Sequence, residues 1–496
     1  MNIKRIVARN IADGTGNTLY PGRIIVKNSR IAAVEKGVFL PEEGDLFFDE
    51  NHLIAPGFID AHGHSDISLA AMPDAAGKTA QGIAFEISGN CGLSPFPLTE
   101  HNYEHLCTLY RQYKVGLNWK NYTSYINCLR SLQPALELFP LVGHNTLRAA
   151  AAGYEKERLS PEELQTMLDC LENELQAGAL GLSFGLLYVP GCFADCNEII
   201  ALMKIVARHN KLCTVHLKSE GDLLEESLQE MIDCARGAGL QKLHLSHLKT
   251  AGESNFHKID ALLNALSCKD LCITGDCYCY NASMTQLSVI MPRDFDKYDD
   301  IKIMEILQDK VAYQQALRGL QNERPPGYWQ KVRIVSAPAE YSCFNGVLLT
   351  EAAEKLHIAS EELYLEIIRK DAPGAVGAFH TLSQKNMELL AAHPRVVPGS
   401  DESARSLTTA FGSSHPRGFG NHAEYFALRR KQGADLCTVI KEMTSIPASI
   451  FNLPDAGTIK PGARAVFTCL DPEKYQSRAT FVAPHQLAAG AELIRL

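Results

Sequence analysis

EIIALMKIVARHNKLCTVH (Glu198–His216) and LLEESLQEMIDCARGAGLQKLHLSH (Leu223–His247) carry the same pattern twice. A helical period from about Glu198 to His209 gives way to the apolar run Leu212-Cys213-Thr214-Val215, which ends at His216. A second helical period, about Leu223 to Arg236, leads to Lys242-Leu243-His244-Leu245-Ser246 and then His247. Helix followed by strand, unit after unit, predicts a parallel sheet with crossover helices.

The pattern extends in both directions. Ser160-Pro161-Glu162-Glu163 is a helix start, with a Ser N-cap, Pro at the first helical position and Glu three residues after the Ser. That helix ends near Gly178, and Ala179-Leu180-Gly181-Leu182-Ser183 follows as strand. Downstream, Ile259–Leu266 leads to Leu271-Cys272-Ile273-Thr274, and Met387–Ala392 leads to Val396-Val397. The number of units and the lack of a phosphate-binding glycine fingerprint favour a closed (β/α)8, TIM-like barrel over residues 55–454, rather than an open doubly wound sheet. Gly77-Lys78-Thr79 imitates the end of a P-loop, but Met72 stands where its first glycine is required.

Outside this span the chain reads as short strands. Gly22-Arg23-Ile24-Ile25-Val26 and Arg30-Ile31-Ala32-Ala33-Val34 are split by a hairpin-like Lys27-Asn28-Ser29. Ala465-Val466-Phe467-Thr468-Cys469-Leu470 follows the turn Lys460-Pro461-Gly462. Both pieces fit one small β-sandwich domain of residues 1–54 plus 455–496, since termini often lie close together. Residues 292–338 break the barrel rhythm with a charged and aromatic stretch ending near Arg324-Pro325-Pro326-Gly327-Tyr328-Trp329. Coming after a strand, this insertion would lie on the catalytic face, as a lid or as a plain surface excursion.

The bulk numbers exclude several classes. A net charge of −9 without basic blocks argues against a nucleic-acid partner. Fifteen cysteines, an odd number without a C-x-x-C pair, fit neither a zinc ribbon nor a disulfide framework. The opening Met1-Asn2-Ile3-Lys4-Arg5-Ile6-Val7 turns polar before a signal peptide could form, and no run approaches the ~18 apolar residues of a membrane span. Cytoplasmic localisation is the expectation.

Residues far apart in sequence, each at a strand's C-terminal end, meet on one face of a parallel barrel, and that face carries the chemistry. His62 and His64 follow the buried-strand pattern Leu53-Ile54-Ala55-Pro56-Gly57-Phe58-Ile59; residues i and i+2 on an extended chain point the same way. His216 and His247 close successive strands. Cys91, in Gly89-Asn90-Cys91-Gly92, is either a soft metal ligand or an inert buried thiol. Asp401, after Val396-Val397-Pro398-Gly399-Ser400, is either a ligand and proton acceptor or a helix cap. His244 points to the opposite strand face and is left out. The set predicts a metal-dependent enzyme.

Ala55-Pro56-Gly57-Phe58-Ile59-Asp60-Ala61-His62-Gly63-His64 resembles the opening metal motif of the amidohydrolase superfamily. Gly89-Asn90-Cys91-Gly92, Gly178–Ser183, Ser246-His247-Leu248-Lys249, Gly399-Ser400-Asp401, His415-Pro416-Arg417, Met443–Ala448 and Pro484-His485-Gln486 are similar to the D-aminoacylase (N-acyl-D-amino-acid deacylase) branch. The resemblance implies zinc-dependent hydrolysis of a small-molecule N-acyl-D-amino acid to a carboxylate and a free D-amino acid. It also implies that Cys91, His216 and His247 hold a tightly bound Zn2+, while His62, His64 and Asp401 border a second, weaker position with Asp401 as general base. Lys249 and Arg417 are expected to bind the substrate carboxylate, and Tyr280 to lie near the scissile carbonyl. Lys218, Cys277, Cys279, Glu402 and Arg464-Ala465 depart from the branch's usual residues and bear on substrate preference, not on the ligands. The alternatives are a cyclic-amide hydrolase of the dihydroorotase or hydantoinase type, which relies on a carboxylated lysine, and a metal-free scaffold protein of the same fold.

Overall fold

The computed structural model describes residues 3–408 and 413–496; Met1 and Asn2 of the terminal segment lie outside them. The α/β pattern is present, with two parallel sheets. One has six strands, in the order Val396–Pro398, Cys272–Cys277, Lys242–Leu245, Leu212–His216, Gly181–Gly185 and Val142–Gly143. The other has three: Phe58–Asp60, Ile83–Ser88 and Glu137–Pro140. Backbone hydrogen bonds run between the two sheets on both flanks. Ala61 N donates to Pro398 O at 3.1 Å, and Leu180 N donates to Pro140 O at 2.8 Å. Ile83–Ser88 and Leu212–His216 are buried along their whole length, as strands of a parallel sheet covered on both faces are.

Local chemistry sets the connecting helices. The helix Pro161–Ala177 begins with Ser160 accepting from Glu163 N at 3.2 Å, while the Glu163 carboxylate accepts from Ser160 N at 2.7 Å. Such a cap is worth about 1 kcal/mol. The helix stops at Gly178, whose φ of 121° is one that side chains rarely adopt. The next helix, Cys196–Arg208, is capped by Asp195 accepting from Glu198 N at 2.9 Å.

Strands from both ends of the chain form a seven-stranded sheet. Ile3–Ile11, Tyr20–Lys27, Arg30–Lys36, Leu46–Phe48 and Leu53–Pro56 join Val466–Leu470 and Ala491–Arg495, and Phe467 pairs antiparallel with Pro56. Ile6, Ile24, Val26, Ile54 and Phe467 make its separate apolar cluster.

The stretch 292–338 lies inside a larger folded unit. A three-stranded antiparallel sheet joins Ser283–Gln286, Val376–Phe379 and Val332–Ser336, and the helices Lys310–Glu323 and Ser360–Asp371 pack beside it. Leu287, Ile303, Leu320, Trp329, Tyr364 and Ile368 belong to a hydrophobic core of its own. The sequence reading missed the second half of this unit because its helices carry the same 3.6 period as barrel helices. No helix among the described residues is long and apolar enough to cross a membrane.

Candidate metal centre

His62, Cys91, His247 and Asp401 each stand just past a parallel strand, and His216 is the last residue of one. Their side chains converge. Cys91 Sγ lies 3.4 Å from His62 Nε2 and 3.3 Å from His247 Nε2, and His247 Nε2 lies 2.8 Å from His216 Nδ1. On the other side of the thiol, Asp401 Oδ1 is 3.1 Å from His64 Nε2 and 3.6 Å from His62 Nε2. Donor atoms of His62, His64, Cys91 and Asp401 all lie within 4.8 Å of one another, and so do those of Cys91, His216 and His247. The two groups share Cys91.

The backbone is bent to achieve this. Cys91, His247 and Asp401 have φ of 52°, 35° and 51°, in the left-handed region that costs a non-glycine residue about 1 kcal/mol or more. Close packing holds the Cys91 turn: a Cβ on Gly185 would meet the Cys91 carbonyl oxygen at 1.9 Å, so only glycine fits there. Asp401 N donates to His62 O at 2.7 Å, which ties the two strand ends together.

Outer partners orient the rings. His62 Nδ1 faces Asp276 Oδ2 at 3.2 Å, which turns Nε2 toward the thiol. Asp276 also accepts from His247 N at 2.9 Å and faces His244 Nε2 at 3.0 Å, so His244 serves behind the centre rather than in it. His247 Nδ1 sits 3.0 Å from Glu220 Oε1, which in turn accepts from Lys249 Nζ at 2.6 Å. Such carboxylate–imidazole pairs fix tautomer and ring angle at metal sites. His216 presents Nδ1 inward; its Nε2 is buried without a hydrogen-bond partner among the described residues, beside the Tyr188 ring.

Charge follows the same geometry. Burial opposes ionisation of Cys91, but the His247 and His62 imidazoles outweigh it and hold the thiol well below its ordinary value. Burial disfavours a charged His62, yet Asp276 and Cys91 lift it well above the usual imidazole range. Asp401 is buried too, and the Arg417 guanidinium 3.0 Å from Oδ2, followed by His247, holds it well below the carboxylate norm. Burial pushes Glu220 up, and Lys249, His216 and His247 bring it down to about 2. A thiolate, carboxylates and imidazoles gathered this tightly without a cation would repel or share protons. With Zn2+ among them, the soft and borderline donors fit the ion's known preferences.

Lys249 and Arg417 are both at the centre. The Tyr278 ring lies between them, 5.9 Å from Lys249 Nζ and 4.6 Å from the Arg417 guanidinium carbon. Tyr280 is not brought to this group. Its ring packs edge-on against His415 and Phe481, and its hydroxyl lies where a Cβ on Gly420 would reach. The chain leaves the strand at Cys277, so two-residue alternation no longer carries both tyrosines to one face. Sequence reasoning missed Glu220, Asp276 and Tyr278. Asp276 carries a usable signal, a carboxylate at the end of a strand, which is the criterion that picked out Asp401.

No family model matches the chain. It is 28% identical over 491 residues to an N-acyl-D-glutamate deacylase of Alcaligenes xylosoxydans xylosoxydans, covering 97% of this chain and 90% of the relative. A D-aminoacylase of the same organism is 26% identical over 488 residues, covering 95% and 89%. The resemblance to the D-aminoacylase branch spans nearly the whole chain. The D-aminoacylase likeness extends to solved structures. The zinc- and phosphonate-bound N-acyl-D-glutamate deacylase of Bordetella bronchiseptica superposes with a TM-score of 0.81 at 25% identity, over 100% of this chain and 96% of that one. A D-aminoacylase described by its binuclear metal centre gives 0.79 at 25%, over 98% and 94%. A dihydropyrimidinase from Brevibacillus agri, at 13% identity and a TM-score of 0.54, shares the fold alone.

Proposed function

We propose that this chain is a zinc-dependent amidohydrolase that removes the acyl group from N-acyl-D-amino acids, giving a carboxylate and a free D-amino acid. The observation that carries the reading is Cys91 seated between the imidazoles of His62 and His247, with Asp401 on the open side. We assign Cys91, His216 and His247 to a tightly held Zn2+, and His62, His64 and Asp401 to a second, weaker position that shares the thiolate. Bound zinc supplies a nucleophile near neutral pH and polarises the amide carbonyl. Asp401, kept ionised by Arg417, takes up the proton of the attacking water and returns it to the leaving nitrogen, which must be protonated to depart. Lys249 and Arg417 are the cations for the substrate carboxylate, with Tyr278 between them.

The same reading takes the two parallel sheets as one (β/α)8 barrel over residues 55–454. Counting Glu137–Gly143 once, eight strands follow one another, and the bonds at Ala61 and Leu180 support closure. The terminal sheet, residues 1–54 plus 455–496, is taken as a small β-sandwich domain, supported by its separate cluster. The insertion containing 292–338 is taken as a lid: Arg417 donates to Met284 O at 3.4 Å, and Tyr188 bonds Thr285 at 3.2 Å, both at its base. Fifteen unbridged cysteines support a reducing, cytoplasmic compartment.

N-acetylated D- and L-glutamate, aspartate and leucine, assayed beside dihydroorotate and hydantoins on zinc-loaded protein, test the proposal. Turnover of the D-amino-acid series, abolished by a chelator, is expected. Zinc-loaded protein that leaves every N-acyl-D-amino acid untouched defeats it.

A further inference from the structure

We propose that Lys78 is a positioning residue for this reaction, fixing from beneath the two strand ends that carry His62, His64 and Asp401. The inference rests on the function proposed above, although part of its test does not. Lys78 is fully buried and touches none of the six ligands. Its ammonium donates to Asp60 Oδ2 at 2.5 Å, Ser400 Oγ at 2.7 Å and Glu402 O at 3.0 Å, and lies 2.9 Å from Glu86 Oε2. All four partners belong to the chain just beside a ligand or just beneath one.

Asp60 passes the constraint on. Its Oδ1 accepts from Ser400 N at 2.8 Å and His62 N at 3.3 Å, and its Oδ2 accepts from Ser400 Oγ at 2.6 Å. Ser400 and Glu402 flank Asp401 on both sides, so the ammonium grips the turn whose φ of 51° aims that carboxylate. Glu86 reaches the His64 side. Its two oxygens accept from Ser65 N at 2.9 Å and Ser65 Oγ at 2.7 Å. It fills the space beneath Gly63, where a Cβ would meet Glu86 Cδ at 2.0 Å. Lys78 itself sits on the helix Ala76–Thr79, which is held by Gly77 N donating to Arg405 O at 2.9 Å.

A buried ammonium with three donors is a costly way to fill space, since an apolar side chain of similar length packs without desolvation. What it provides is a directed grip on two strand ends from one atom. That asymmetry is the prediction. Lys78 acts on the His62, His64 and Asp401 position and leaves the one formed by Cys91, His216 and His247 in place.

Lys78→Met, Lys78→Arg and Ser400→Ala are compared with wild type in the full zinc-loaded chain, reading kcat, KM, melting temperature and the affinity of each zinc by chelator competition. For Lys78→Met we expect kcat to fall ~100-fold with KM within ~3-fold, and the weaker zinc to loosen ~10-fold or more while the tighter one is unchanged. Lys78→Arg, which keeps the charge, is expected to recover part of kcat. A folded Lys78→Met with kcat and both zinc affinities within about twofold of wild type, or with both zincs lost in parallel, overturns the proposal. Should Lys78→Met not fold, Ser400→Ala decides, because it removes one arm without stranding a charge. It is expected to lower kcat ~5-fold at an unchanged melting temperature, and no change overturns the proposal. If wild type hydrolyses no N-acyl-D-amino acid, the assigned activity fails, and the zinc affinities alone decide the role of Lys78.

Discussion

The two halves of the candidate metal centre are built differently although they share one sulfur. Around Cys91, His216 and His247 every side chain is almost wholly buried, and Glu220 and Lys249 brace the His247 ring directly. Around His62, His64 and Asp401 the support comes from the Asp60, Ser400 and Lys78 network below, and two of the three side chains are partly exposed, 26% for His64 and 12% for Asp401. An enclosed half suits an ion that stays. A half with partly exposed side chains, whose carboxylate also pairs with Arg417, suits an acid–base group that must reach substrate.

Substitutions that treat the halves unequally sharpen this contrast. The largest effect is expected where they cannot be separated: Cys91→Ala removes the shared thiolate, and both zinc content and turnover should collapse, by ~10³-fold or more in kcat, the scale of lost Lewis-acid stabilisation. Zinc analysis finding both positions still filled breaks the idea of a shared sulfur. Asp401→Asn should leave the Cys91, His216 and His247 position loaded while kcat drops by ~10²-fold, as for loss of a general base. Near-full turnover in that variant removes Asp401 from the mechanism. Glu220→Gln should weaken the tighter zinc by ~10-fold through His247, and Asp276→Asn should act mainly through His62, on the weaker one. Equal effects of the two on both positions would erase the distinction. The smallest effect is in release: timed exposure to a chelator should strip the His62, His64 and Asp401 position first and the enclosed one later, read by metal analysis of the retained protein.

The convergence of the six candidate ligands was legible because each occupies a position with a rule attached, the end of an apolar strand. His216, His247 and the H-x-H pair follow that rule directly, and Gly89 and Gly92 signal close backbone approach at Cys91, but nothing in the sequence announces the left-handed backbone at Cys91, His247 and Asp401. The supporting network was not legible. Lys78 and Glu86 lie on a short helix and the next strand, but Asp60 and Ser400 come from other segments, and nothing local distinguishes a buried lysine from a solvated one. In the sequence Lys78 stands out only as part of a false P-loop. Tyr280 failed for a related reason: past Cys277 the strand period ends, and sequence spacing no longer predicts facing. The insertion's extent was hidden because its helices, such as Ser360–Asp371, obey the barrel's own rhythm while packing on a core of their own.

The pairing of Val466–Leu470 with Leu53–Pro56 fixes when this protein can fold. Those partners are separated by some four hundred residues, so during synthesis the strand leading into the His62–His64 motif lacks this neighbour until the ribosome has delivered the stretch between them. Until then the edge at Ile54 and Ala55 lacks this partner, and an unpaired strand edge is the kind of surface on which chains associate wrongly.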